Sequence, residues 1–248
     1  HVPHDHIKMI DSALFENYMS PYDGDPRLTA AEFQKRIIQS FIREIISKHE
    51  GEGILHTHDW MAGGIISAYA KLSNVPLLHT VHNTHTGHIP LEMFYGVNLS
   101  ELWDNLYIST DSGKQCVDCQ AAAIKSATLV NYVGRRFLEE TINDYFMDRP
   151  VIPWSVRQET KTKFRYGSVL AIPNGISPAI YPEEQVENPQ FDKPGLAKKY
   201  GVCDNVIKAK KLNLIKFQKK TGLQVNPEAI LLYWPSRLDP VQKGVELL

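Results

Sequence analysis

Four histidines, His79, His82, His85 and His88, recur at every third position of Leu78-His-Thr-Val-His-Asn-Thr-His-Thr-Gly-His-Ile-Pro90, in a chain that holds ten. Imidazoles ligate metals and exchange protons near neutral pH, so the run raises zinc and acid–base chemistry together. A period of three matches neither an α-helix, whose i and i+4 residues share a face, nor a strand, whose alternate residues do. The run must therefore cross an element boundary. His79 is expected inside a strand, His82 at its carboxyl end, and His85 and His88 in the loop beyond. Rings so placed point apart and do not converge on a tetrahedral ion, so no metal is assigned.

Other side chains with chemical potential lie elsewhere. Asp59, in His56-Thr-His-Asp-Trp-Met-Ala-Gly-Gly64, is a carboxylate that either accepts ligand hydroxyls or caps the helix that follows it. Arg237 and Lys243 share the stretch Ser236-Arg-Leu-Asp-Pro-Val-Gln-Lys-Gly244. A planar fork beside a point charge suits phosphate oxygens, whereas isolated basic residues are usually a solvated surface pair. Asn174, in Ile172-Pro-Asn-Gly-Ile176, is either a ligand amide or part of a generic turn. Cys116-Val-Asp-Cys119 is a CxxC without a second CxxC, and reads as two ordinary helix cysteines. His1, His4 and His6 read as a frayed terminus rather than a metal tract.

These residues need elements to position them. A capping-box pattern at Thr29-Ala-Ala-Glu32 starts a helix. Its apolar stripe runs through Phe33, Ile37, Ile38, Phe41, Ile42, Ile45 and Ile46, and Gly51 and Gly53 end it. Further helices are expected over 61–73, packed closely through Gly63, Gly64 and Ala68, and over 117–126 and 134–146. Strands are expected over 53–58, 75–81, 127–133 and 168–172. Strands separated by helices of this length imply an α/β fold with a parallel sheet. Such a sheet is buried on both faces, which accounts for the run Ser168-Val-Leu-Ala-Ile172. Residues 174–206, rich in Pro, Glu and Asn, read as a connection between two units. A helix over 205–221, its six lysines on a solvated surface, a strand over 229–234 and a loop over 235–243 follow. In a doubly wound sheet ligands gather beyond the carboxyl ends of strands. Asp59, His82, Asn174, Arg237 and Lys243 lie at those ends.

With 43% hydrophobic and 22% charged residues and a net charge of −1, the chain is an ordinary globular one, offering no footprint for nucleic acid or a membrane surface. Three cysteines make no disulfide framework, so a reducing compartment, the cytoplasm, is expected. The chain opens on His1 rather than Met and closes on Gly244-Val-Glu-Leu-Leu248, the opening turn of an amphipathic helix. A segment of a longer protein is therefore expected.

Together the strand exits resemble the bacterial and archaeal glycogen and starch synthase family. His56-Thr-His-Asp-Trp-Met-Ala-Gly63 is similar to that family's HAHDWHAG, and Thr80-Val-His-Asn83 followed by Gly87 to its TVHN and glycine. Asn174-Gly-Ile-Ser177 with Tyr181-Pro182 is similar to its NGID before an aromatic and proline. Phe217-Gln-Lys-Lys-Thr-Gly-Leu223 is similar to LQKELGL, and Ser236-Arg-Leu238 with Gln242-Lys-Gly244 to SRL and QKG. The motifs run in order from about residue 54 to the end. The resemblance implies a retaining glycosyltransferase of two Rossmann-like domains, the GT-B architecture. Residues 1–174 would be a partial N-terminal, acceptor-side domain, 175–204 the interdomain connection, and 205–248 the start of the nucleotide-sugar domain. It implies that His82, Asp59, Arg237 and Lys243 serve catalysis. It implies that Asn83, Asn174 and Gly175, again with Arg237 and Lys243, bind substrate. ADP-glucose or UDP-glucose would be the donor substrate, with no cofactor and no metal, and an α-1,4-glucan the acceptor.

Departures accompany the resemblance. The loop from Asn83 to Gly87 is shorter than the family's, Leu129-Val-Asn-Tyr-Val133 does not run into a serine, and Arg237 and Lys243 are one residue further apart than in many bacterial members. Neither a KxGGLGD-like loop nor an E-x7-E motif is present, so this segment alone is expected to show no turnover. The region 149–165, with Trp154 and Phe164, reads as a basic surface hairpin, with an acceptor-glucan contact as its sharper alternative. Other readings are a GT-B enzyme acting on sucrose or a small acceptor, a non-catalytic carbohydrate-binding relic, and a metalloprotein centred on the histidines.

Overall fold

Four parallel strands carry the functional residues: β1 (Leu55–His58), β2 (Leu77–Val81), β6 (Leu129–Tyr132) and β7 (Val169–Ala171), in the order β1-β2-β6-β7. The computed structural model describes residues 10, 12–20, 23–42, 53–148, 151–177, 181 and 195–232. The chain divides into two compact units, His1–Asn174 and Gly175–Leu248. The mixed α/β architecture with its parallel sheet follows from the alternation of strands and helices. β7, however, is an edge strand among the described residues, with Leu170 exposed, so its apolar run is not buried on both faces.

The first helix, α1 (Pro26–Arg36), begins one turn before the capping box. Asp25 is its N-cap, accepting the Arg27 N–H at 2.9 Å, and Pro26 at the first helical position has no N–H to leave unpaired. Thr29 instead donates its hydroxyl back to the Pro26 carbonyl. Beyond Arg36 the turn Ile37–Ile42 widens to π-helical geometry. Ile45, Ile46 and Gly51 lie outside the described residues.

The helix expected over 61–73 is two: α2 (Asp59–Ala62) and α3 (Gly64–Leu72), broken at Gly63. Gly64 adopts φ +46°, and a Cβ there would lie 2.3 Å from the Gln34 Oε1. Gln34, fully buried on α1, stitches the break together. Its Nε2 donates to the carbonyls of Trp60 and Met61 at 3.3 and 3.2 Å, and its Oε1 accepts the Ile65 N–H at 2.9 Å. The orphan groups that a helix break creates thus meet one amide.

A second sheet lies within the β2-to-β6 connection, where no strand is expected: β3 (His88–Pro90), β4 (Ile108–Asp111) and β5 (Lys114–Asp118), antiparallel in the order β3-β5-β4. Ser112 and Gly113, both at positive φ, turn β4 into β5 as a two-residue hairpin demands. The following helix, α5 (Cys119–Ser126), starts at Cys119 rather than at 117, because Asp118 caps it by accepting the Ala121 N–H at 3.0 Å. The CxxC therefore straddles two elements and is not a helical pair. Cys116 is in β5, Cys119 opens α5, and both are buried and unbridged. Among the described residues two apolar clusters form the core: one around Trp60, Ile65, Phe94 and Val117, the other around Leu77, Val81, Val130 and Val156.

Helix α6 (Arg135–Ile142) stops short of Phe146. The buried Arg157 guanidinium donates to the carbonyls of Thr141 at 2.8 Å and Tyr145 at 2.6 Å, gathering the helix end inward. Arg157 belongs to α7 (Trp154–Arg165), which replaces the expected hairpin. In the second unit, α8 (Val206–Thr221) is capped by Asn205 and ends at Gly222, at φ +72°. Lys208, Lys210, Lys219 and Lys220 on it are exposed. Residues 229–232 are not strand, and 233–248 lie outside the described residues.

Candidate active site

The register of β1 against β2 sorts the histidines. Thr57 pairs with His79, and the Thr57 hydroxyl and His79 Nδ1 lie 2.8 Å apart on one face of the sheet. His58 pairs with Thr80 on the other face, where the next residue of that parity is His82. His82 Nε2 lies 3.0 Å from His58 Nδ1, with the rings stacked at 5.3 Å between centroids. His56 adjoins His58 at 4.2 Å and shares a 2.8 Å hydrogen bond with the Thr80 hydroxyl. Three imidazoles thus line the carboxyl ends of β1 and β2, open to solvent. Side chains alternate across a strand, so positions 79 and 82 point to opposite faces.

His85 and His88 go elsewhere. His85 meets the Trp60 ring edge-on at 5.9 Å. His88 lies in β3 rather than in a loop, and its Nδ1 is 2.8 Å from the Ser109 hydroxyl of β4. Among the described residues no three His, Cys, Asp or Glu side chains are disposed to hold a metal ion. His1, His4 and His6 lie outside them. Burial pushes the Cys119 thiol up, which opposes the thiolate that a metal would need.

Asp59 neither caps its own helix nor points away. It stands at φ +50°, a left-handed conformation that Asp tolerates better than most residues. Its Oδ1 accepts the His82 N–H at 2.8 Å and the Asn83 N–H at 3.4 Å. The carboxylate after β1 thereby holds the backbone of the β2 exit. Asn83 Oδ1 accepts the His85 N–H at 2.8 Å, closing an Asx turn, and the Gln120 side chain donates to the Asn83 carbonyl at 3.3 Å. Gly87 completes the loop: a Cβ there would lie 2.2 Å from the Trp60 ring.

Electrostatics follow the packing. Burial, then the charges of His58 and His56, push His79 down to about 3, so it is a neutral core residue at physiological pH. Its Nε2 and the Gln120 Oε1 are both buried without a well-formed hydrogen bond, although Gln120 favours the protonated ring. His58 is lowered by partial burial first and then by repulsion from His56 and His82, with Asp59 opposing. His56 is lowered by partial burial and by His82.

Asn174 follows β7 on the same sheet edge and is exposed. The backbone before it is held by Asn131 of β6, whose Oδ1 accepts the Ile172 N–H at 2.8 Å. Gly175 belongs to the second unit and is likewise exposed. Arg237 and Lys243 lie outside the described residues. Sequence reasoning passed over His56 and His58, although their i, i+2 spacing beside a strand exit marks a shared face. It also passed over Gln34, Asp118 and Gln120, for which no local pattern exists.

A family model of the starch synthase catalytic domain matches residues 3–149, more than half of the 248-residue chain. The chain belongs to this family. It is also similar to a glycogen synthase of Exiguobacterium sibiricum, at 24% identity over 237 residues, which is 92% of this chain and 44% of that protein. The chain thus spans less than half the length of this relative. The starch synthase match covers β1, β2 and β6, and with them His58, Asp59 and His82. No helix among the described residues is long and apolar enough to cross a membrane.

Proposed function

We propose that the chain is the acceptor-side part of a cytoplasmic retaining GT-B glucosyltransferase, one that moves glucose from ADP-glucose or UDP-glucose to the non-reducing end of an α-1,4-glucan. Family membership supports glycosyl transfer in glucan synthesis, and the observation that carries the reading is the held exit of β2. His82 is solvent-exposed, its N–H is bound by Asp59 and its ring leans on His58. Glycosyl transfer passes through an oxocarbenium-like state, which needs oriented dipoles and hydroxyl partners near C1 more than a strong base. A histidine whose backbone and ring are both braced meets that need, because positioning set before the reaction costs nothing at its transition state. Asp59 supplies orientation, Asn83 builds the turn, and Asn174 and Gly175 stand at a neighbouring exit. Arg237 and Lys243 are assigned to the donor diphosphate, where cations stabilise the leaving charge. No cofactor or metal enters this scheme.

The test is incorporation of labelled glucose into glycogen from each donor by a full-length enzyme that contains this segment, since the segment alone is expected to show no turnover. Incorporation is expected, and His82→Ala should lower it about 100-fold or more. Incorporation that His82→Ala leaves unchanged would overturn the assignment.

A further inference from the structure

Val151, Ile152, Pro153 and Trp154 run uncharged into the first turn of α7; Trp154 is 65% exposed and Val151 41%, with Ile152 and Pro153 half-buried between them. An exposed indole offers a flat apolar face with a polar N–H at its edge, and this one stands beside the loop of the candidate site. This strip is held at both ends. The Val151 carbonyl accepts the Thr84 hydroxyl at 3.1 Å, two residues beyond His82. Ser155, next to Trp154, donates its hydroxyl to Asp118 Oδ2 at 2.5 Å, and the other oxygen of that fully buried carboxylate accepts the Thr86 hydroxyl at 2.5 Å. The first anchor belongs to the loop that begins at His82, and the second, Asp118 of β5, is tied to the same loop through Thr86. Val156, Arg157 and Thr160 bury the opposite face of α7, so the indole cannot fold into the core.

We propose that Trp154, with Val151 beside it, is a stacking subsite for glucose units of an α-glucan chain at the His82 exit. This rests on the glucan-transfer reading and adds a place where the glucan lies. The chemistry selects the ligand. A pyranose ring presents an apolar C–H face inside a rim of hydroxyls. An aromatic plane buries the first while the rim stays hydrated or reaches polar neighbours. The strip carries no cation that would recruit a diphosphate, so it suits the uncharged acceptor and not the donor. Its rigidity lowers the ordering cost of binding.

Titration of the full chain with maltoheptaose, followed by tryptophan fluorescence and calorimetry, tests the subsite. The wild-type chain is expected to bind, Trp154→Ala to weaken binding about tenfold or more, and Trp154→Phe to keep most of it. Trp103→Ala, at a position 44% exposed and outside the strip, is expected to bind as the wild type does. Wild-type affinity in Trp154→Ala, or no binding by the wild-type chain, overturns the subsite. So does self-association that Trp154→Ala abolishes in a chain indifferent to maltoheptaose, which would assign the strip to a second copy. Failure of the subsite and failure of the transfer reading separate cleanly. Unaltered maltoheptaose affinity in Trp154→Ala with intact glucose incorporation removes only the subsite. Tryptophan-dependent maltoheptaose binding by the chain, with no incorporation by a full-length enzyme that contains it, removes only the transfer reading.

Discussion

The exits of β2 and β7 open on the same edge of one sheet, yet they are built on different principles. At β2, Asp59, Gln120, Asp118 and Trp60 reach the loop from other elements, and each holds or packs against a backbone or side-chain atom of 82–87. At β7 the Asn131 amide holds Ile172, and 173–177 beyond it are exposed. The first exit is positioned by tertiary contacts, the second by the habits of Pro-Asn-Gly itself. A site needing accuracy at one reacting atom draws on the first kind, and a loop that adapts to a ligand on the second.

The two glycines break this comparison most sharply if it is wrong. Gly87→Ala would drive a methyl into the Trp60 ring, which is 5% exposed and has no room to retreat. The expected cost is about 3 kcal/mol of stability by denaturant unfolding. At Gly175 an added Cβ meets nothing within 4 Å among the described residues. Gly175→Ala should therefore change stability by no more than about 0.5 kcal/mol. Similar costs at the two positions would erase the distinction.

The functional contrast comes next in size. His82→Ala should cut glucose transfer about 100-fold, whereas Asn174→Ala, at an exit without tertiary bracing, should cut it by less than about tenfold. A larger loss at Asn174 would shift the reacting centre toward β7.

How much of this was legible depends on how local each cause is. The four parallel strands and their polar exits were readable because an apolar run followed by turn residues is a local signature, as in Leu77-Leu-His-Thr-Val81 before His82-Asn83. The second sheet was not. β3 has three residues and β4 four, too short for a periodicity to emerge. Asp59 was recognised as a carboxylate at a strand end, but its partner is 23 residues away, at the exit of another strand. Gln34 is the extreme case, a polar residue on an apolar stripe whose role exists only once Gly63 breaks a helix. The basic run at 149–165 misled because a buried Arg157 looks in sequence like any surface arginine.

Asp59 itself offers a finer cut. Asp59→Ala removes the acceptor from two backbone N–H groups and leaves Ala at φ +50°. The expected cost is about 1–2 kcal/mol, because water replaces part of the lost bonding at an exposed site. Amide exchange should rise selectively at His82 and Asn83, by about tenfold. Asp59→Asn, which retains one oxygen and the left-handed preference, should recover most of the protection. Exchange unchanged at His82 would mean that the loop holds itself, as the β7 exit does.

The smallest effect is a dependence on pH that only the β2 side should show. His79 in the folded chain titrates at about 3, far below the ordinary 6.5, because its ring is buried. The unfolded chain therefore binds more protons than the folded one between those values, so stability rises with pH there. The contribution is complete above about pH 6.5 and is lost as pH falls through that value towards 3, at up to about 1.4 kcal/mol per pH unit. Between pH 7 and pH 5.5 the expected loss is about 1 kcal/mol, with His56 and His58, also lowered, adding in the same direction. His79→Gln should flatten this slope whatever it does to the absolute stability, since it removes the group whose proton uptake is suppressed. Asn174→Ala, with no imidazole to change, should leave the slope as it is. Denaturant unfolding at several pH values measures both. An unchanged slope in His79→Gln would show that the ring is not the neutral core group its burial requires.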